Sequence, residues 1–175
     1  MTTEITTFES VPPHRLSKEL RLAEGKDMRR RRQVIGLSLA GAVIGGVVGA
    51  YQTGILRRLP DILPGRIWNA EKVDRQDYAY EKLQTADGLI MLNSYGTTAI
   101  LAAAGGKDRT ERQPTLPLAA AAKAGYDFYT CLKLAGKEWQ ETKALCSWCQ
   151  VATAVSAISL VLTLPEAARA ARNIS

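Results

Sequence analysis

The sequence predicts an all-α protein, an integral membrane bundle of four helices. Three observations carry that expectation. The first is the bunching of charge. Of the 175 residues, 46% are hydrophobic and 23% charged, which as an average describes one ordinary soluble domain. The charged residues are not spread evenly, however. They gather in the tails and loops, and apolar blocks about as long as a bilayer is thick lie between them. The second observation is the make-up of those blocks, rich in Ala, Gly and Leu. Glycine weakens helices in water but is common in membrane helices, where it allows close contact. The third is an uneven placement of basic residues on the two sides that four spans would create. The length excludes a large multidomain enzyme. The composition excludes a collagen, a disulfide-rich mini-protein and a fully disordered chain. Three Cys and one His exclude an elaborate metal centre built from this chain alone.

Residues 1–33 read as a polar, basic tail. It opens with Thr2, Thr3, Thr6 and Thr7 and ends in Arg29 to Arg32. A solvated charged tail is the expectation; the alternative is a short amphipathic helix from Leu16 to Met28 that would lie on a membrane surface. The first span, about 34–55, contains Val34 to Tyr51 without a charge. Gly41 and Gly45 have the small-xxx-small spacing of close helix contacts. A secretory signal is a poor reading, because the charged lead is too long and no A-x-A site follows. Residues 57–84 form a wet loop punctuated by Pro60, Pro64 and Gly65. A short helix is expected from about Gln76 to Leu83, with Tyr78 and Tyr80 at a membrane interface.

The second span, about 86–106, carries Asn93, Ser94, Tyr95, Thr97 and Thr98 in its middle. Such polarity suits a bundle interior or a ligand, not lipid. Pro114 and Pro117 begin the third span, about 116–136. Lys123 and Asp127 stand at i,i+4 there and can pair on one face, with Cys131 four residues further on. The pair either holds the helix in register or lies on a proton path. The fourth span, about 145–164, is free of charge and is expected to end at Pro165. Residues 34–168 thus make one membrane domain, and 169–175 a short C-terminal tail. Thirteen Lys and Arg fall on the side of the tails and the 107–112 loop, against eight on the other. The bias places both termini in the cytoplasm.

The chemistry lies in Cys146-Ser147-Trp148-Cys149 at the outer head of the fourth helix. C-x-x-C on a helix brings two sulfurs within disulfide reach. A helix N-terminus favours the thiolate, the reactive species in exchange. The outer side of a bacterial membrane is also where disulfides are made. Two small apolar helix residues are the bland reading of the same pair. A closed zinc site needs about four ligands, and only Cys131 and His14 remain. Haem attachment needs a His where Gln150 stands.

The run Leu145 to Cys149, opening a last apolar helix after a wet stretch that ends in Lys143, resembles the vitamin K epoxide reductase family. More narrowly, it is similar to short bacterial members made of the four-helix membrane domain alone. The resemblance extends from about Val34 to Ala168, through the Tyr51 to Leu59 exit, the Leu83 to Gly106 helix and the surroundings of Lys123 and Trp139. It implies dithiol–disulfide exchange coupled to a quinone, as substrate, bound inside the bundle, with no metal. Cys149 would then face the quinone and Cys146 would exchange with a second thiol pair. Asn93 and Tyr95 would hydrogen-bond the quinone, and Thr85 would match a family hydroxyl at the start of the second helix. The chain departs from the family in one respect. Members usually carry another cysteine pair in the first loop, and residues 57–84 contain no Cys. Electrons would then come from a separate periplasmic dithiol protein.

Two other functions compete. A bundle that kept the fold and lost the relay would serve as a non-catalytic partner or assembly factor in the same membrane lipid. A soluble basic protein would bind nucleic acid through its arginines. The long uncharged runs argue against that second alternative, so no nucleic-acid partner is expected.

Overall fold

The computed structural model describes residues 11–174, so the Thr-rich opening of the tail lies outside the described residues. Within them the chain is helical, with no strand and a single isolated bridge between Trp68 and Leu145. Seven α-helices follow one another: α1 (Pro13–Leu22), α2 (Lys26–Gln52), α3 (Ala70–Val73), α4 (Asp87–Ala103), α5 (Arg109–Arg112), α6 (Thr115–Thr142) and α7 (Ser147–Arg172). The four long ones form a closed ring in which α2 packs on α4 and α7, and α6 on α7 and α4. Two of them, α2 and α7, are long and apolar enough to cross a membrane. At 17 residues α4 is about 25 Å long, slightly short of a typical hydrocarbon core. Helix α6 is longer but carries Lys123, Asp127, Lys133, Lys137, Glu138 and Glu141.

The α2–α4 crossing explains the glycines. Gly41, Gly45 and Gly49 line one stripe of α2. A methyl group on Gly45 would stand 2.6 Å from the backbone nitrogen of Leu92, and one on Gly41 would stand 2.8 Å from the Tyr95 ring. Backbone approaches backbone there, as the small-xxx-small spacing anticipates.

The expected basic tail is more ordered than a solvated segment. Helix α1 folds back against the bundle, separated from α2 by Gly25 at φ +126. Arg32 donates to the last carbonyls of α1, at Leu20 (2.8 Å) and Ala23 (2.7 Å). Arg31 is buried and donates to five consecutive carbonyls, Ala102 to Gly106, at the end of α4. These arginines satisfy the unpaired carbonyls of helix ends.

Pro165 does not end the fourth helix, which runs on to Arg172. A proline removes one backbone hydrogen bond. Here the turn beyond it is tied down by Glu166, which takes a two-pronged hydrogen bond from buried Arg109 (2.8 and 2.7 Å), and by Arg169 paired with Asp27. The helix expected from Gln76 to Leu83 is instead two 3-10 turns, Asp77–Tyr80 and Lys82–Gln84. Leu83 and Gln84, at φ 54 and 51, break the run. Tyr78 packs into the core and only Tyr80 reaches the surface.

Candidate redox site

Residues 59–70 form a strap across the N-terminal end of α7. Asp61 fastens it: Oδ1 accepts from the Ser147 amide (3.2 Å) and hydroxyl (2.7 Å), and Oδ2 accepts from the Ala70 amide (3.0 Å). The Ser147 hydroxyl accepts in turn from the Ile62 amide. Trp148 Nε1 donates to the Pro60 carbonyl, Leu145 N to Ile67 O, and Asn69 N to Leu145 O. The strap has the backbone partners it needs because the first turn of a helix leaves its amides unpaired.

Under this strap Cys146 is the N-cap of α7 and has no exposed surface. Its sulfur accepts from the Cys149 amide at 3.4 Å, a bond that the first turn of a helix offers at this position. Two carboxyl groups oppose it. Glu138, from α6, accepts from the Cys146 amide (3.1 Å) and from Gln150 Nε2 (3.3 Å). Asp74, just past α3, is 2% exposed. Burial pushes its carboxyl up to about 7; contact with the Cys146 thiol pulls it down, and Asp87, Glu138 and Asp61 push it further up. A carboxylate oxygen of Asp74 and the two sulfurs of Cys146 and Cys149 lie within 4.8 Å of one another. The trio offers three donor atoms, one short of a closed structural zinc set.

Cys149 is half-buried and lines a cleft of about 40 Å³ with Val48, Asp87, Met91, Cys131, Leu134, Glu138 and Thr153. Asp87, Met91, Cys131 and Leu134 are also walls of a larger cavity, about 420 Å³, between α4 and α6. Lys82, Ser94, Tyr95, Tyr126, Asp127, Thr130 and Ser156 complete its polar lining. A space of that volume, mostly apolar with a few polar groups, suits a small planar ring.

The structure brings together some of the residues singled out in the sequence. Cys146 and Cys149 stand side by side. Lys123 and Asp127 pair at 2.6 Å and share Ser94 and Thr98 as hydrogen-bond partners, which ties α6 to α4. Tyr95 reaches the cavity wall, but its hydroxyl already bonds the Ala152 carbonyl (2.6 Å) and Ser156 (2.8 Å). Asn93 and Thr85 line a separate shallow depression, and the Asn93 carboxamide contacts Thr97 on the exposed side of α4. Asp61, Asp74, Asp87 and Glu138 carried no signal in the sequence. Each is one acidic residue in a polar stretch, and only the fold shows that three of them converge on the sulfurs.

A helical bundle with a vicinal cysteine pair at the head of an apolar helix, next to a cavity, defines a helical dithiol protein. Over residues 32–164 the chain matches the Vitamin K epoxide reductase family, and it belongs to that family. The family is membrane-associated and consists of thiol–disulfide oxidoreductases linked to quinone. Comparison with curated proteins and with solved structures returns no match.

Proposed function

We propose that this protein is a membrane thiol–disulfide oxidoreductase in which Cys146 and Cys149 cycle between dithiol and disulfide and pass electrons to a quinone. The observation that carries the reading is the position of Cys149, between Cys146 on one side and the cleft that opens towards the α4–α6 cavity on the other. In this reading α2, α4, α6 and α7 all span a bacterial cytoplasmic membrane, with both termini in the cytoplasm and Cys146 on the outer side. The cavity holds the quinone ring against Met91, Leu134 and Tyr95. Ser94 and Tyr95 form its polar wall, while Asn93 and Thr85 lie apart from it. Lys123 and Asp127 pin α6 to α4 at the far end of the cavity. The strap carries no cysteine, so a separate periplasmic dithiol protein delivers electrons to Cys146.

Membranes containing the protein should oxidise an added dithiol in a quinone-dependent manner. Replacing Cys146 or Cys149 with Ser should abolish that oxidation. Activity unchanged from the parent in both variants would remove the reading and favour the non-catalytic bundle, a partner or assembly factor of the same fold.

A further inference from the structure

Asp74 has no structural duty that accounts for its burial. Oδ1 takes a single long hydrogen bond from Gln52 Nε2 at 3.4 Å, and Oδ2 has no hydrogen-bond partner. A carboxyl group buried this poorly satisfied is costly to fold. What it does meet is the cysteine pair, with both sulfurs and a carboxylate oxygen inside 4.8 Å. The geometry points to Asp74 as the proton carrier of Cys146, taking the thiol proton when the pair closes into a disulfide and supplying one when the pair is reduced. The inference rests on the redox reading of the pair.

Several titratable groups face Asp74. Cys146 and Cys149 come from the head of α7, Asp87 from α4, Glu138 from α6, Asp61 from the strap, and Tyr78 and Tyr80 from the first 3-10 turn. With its pKa lifted to about 7, Asp74 is partly ionised near neutrality and can both accept and donate a proton.

Closure of the pair breaks two S–H bonds and forms the Sγ–Sγ bond. Two electrons and two protons pass from the pair to the quinone, giving the hydroquinone, and the Cys146 proton travels by way of Asp74. In the other half-reaction a partner thiol loses its proton and attacks Cys146 Sγ, the Sγ–Sγ bond breaks, and Cys149 leaves with the electron pair and takes up that proton. The partner's second thiol gives its proton to Asp74, and the thiolate so formed attacks the partner sulfur of the mixed disulfide. Cys146 leaves as a thiolate and takes the proton now held by Asp74.

The test uses the full chain carrying Cys131→Ser and Cys149→Ser, so that Cys146 is the sole thiol. Its rate of reaction with 4,4′-dithiodipyridine is followed from pH 5 to 9. With Asp74 present the rate should rise through about pH 7, as the ionised carboxylate becomes able to take the thiol proton. Asp74→Asn should lose that limb and react about 10- to 100-fold more slowly at pH 7.5. An Asn variant that reacts equally fast or faster overturns the inference, because a carboxylate that merely repels the thiolate would slow the parent. If Asp74→Asn does not fold, Asp74→Glu decides. The limb must persist with a moved midpoint, and a rate that rises only with the thiol's own titration overturns the role. Quinone reduction by the three-cysteine chain is measured in parallel. Its absence beside an intact limb removes the quinone reading and leaves the role of Asp74 standing.

Discussion

Replacing Asp61 with Ala releases the strap from the head of α7. The carboxylate accepts three hydrogen bonds, two from Ser147 and one from Ala70, at 2.7 to 3.2 Å. Bonds to a charged group contribute about 1.5–3 kcal/mol each when partners are lost in a buried site. Ser147 is buried, but the strap lies at the rim, where water replaces part of the loss. About 1 kcal/mol per bond, or roughly 3 kcal/mol in all, is a fair total. At 1.4 kcal/mol per factor of ten, the open state of the strap gains about 100-fold in population. The remaining contacts, from Trp148 to Pro60 and between Leu145 and residues 67 and 69, keep the strap tethered. The assay is the alkylation rate of Cys146 by a membrane-impermeant maleimide, in the chain whose other cysteines are Ser. Cys146 is fully buried, so the rate reports strap opening. About 100-fold faster labelling is expected in Asp61→Ala. A change of less than about threefold, with helical content intact, would refute the argument that these three bonds seal the site.

Other consequences follow from the helix contacts. Gly45→Ala places a methyl group 2.6 Å from the Leu92 nitrogen, so α2 and α4 must separate; a loss of about 1–3 kcal/mol is expected, read as a lower unfolding midpoint in detergent. Asp127→Asn removes the charge that holds Lys123 between α4 and α6. Under a register role the folded yield falls, whereas under a proton role turnover falls and the amount of folded protein does not.

The helical class, the apolar character of α2 and α7, the cysteine pair and the Lys123–Asp127 contact were legible in the sequence, because each depends on local spacing. Charge-free runs announce a span, and i,i+4 places two side chains on one helix face. The errors arose where distant residues decide. Pro165 reads as a stop until Arg109, 57 positions away, is seen to bond Glu166. The arginines of the basic tail read as solvated until Arg31 is found against the end of α4. Asn93 and Tyr95 are two residues apart, and a helix turns about 100° per residue, so the two side chains leave α4 on nearly opposite sides. The strap was the least legible part. It has no helix of its own, only the isolated bridge of Trp68 to Leu145, and its hold on α7 runs through single residues such as Asp61. Asp74 has meaning only once α3 has brought it beside two sulfurs from the other end of the chain.

The redox state of Cys146 and Cys149 in the native membrane decides whether the pair turns over with quinone. Protein taken from membranes is alkylated before and after reduction and weighed, with quinone present and with quinone depleted. A Cys146–Cys149 disulfide is expected when quinone is present, and two free, alkylated thiols when it is depleted. A pair that stays reduced and unchanged in both conditions would contradict it.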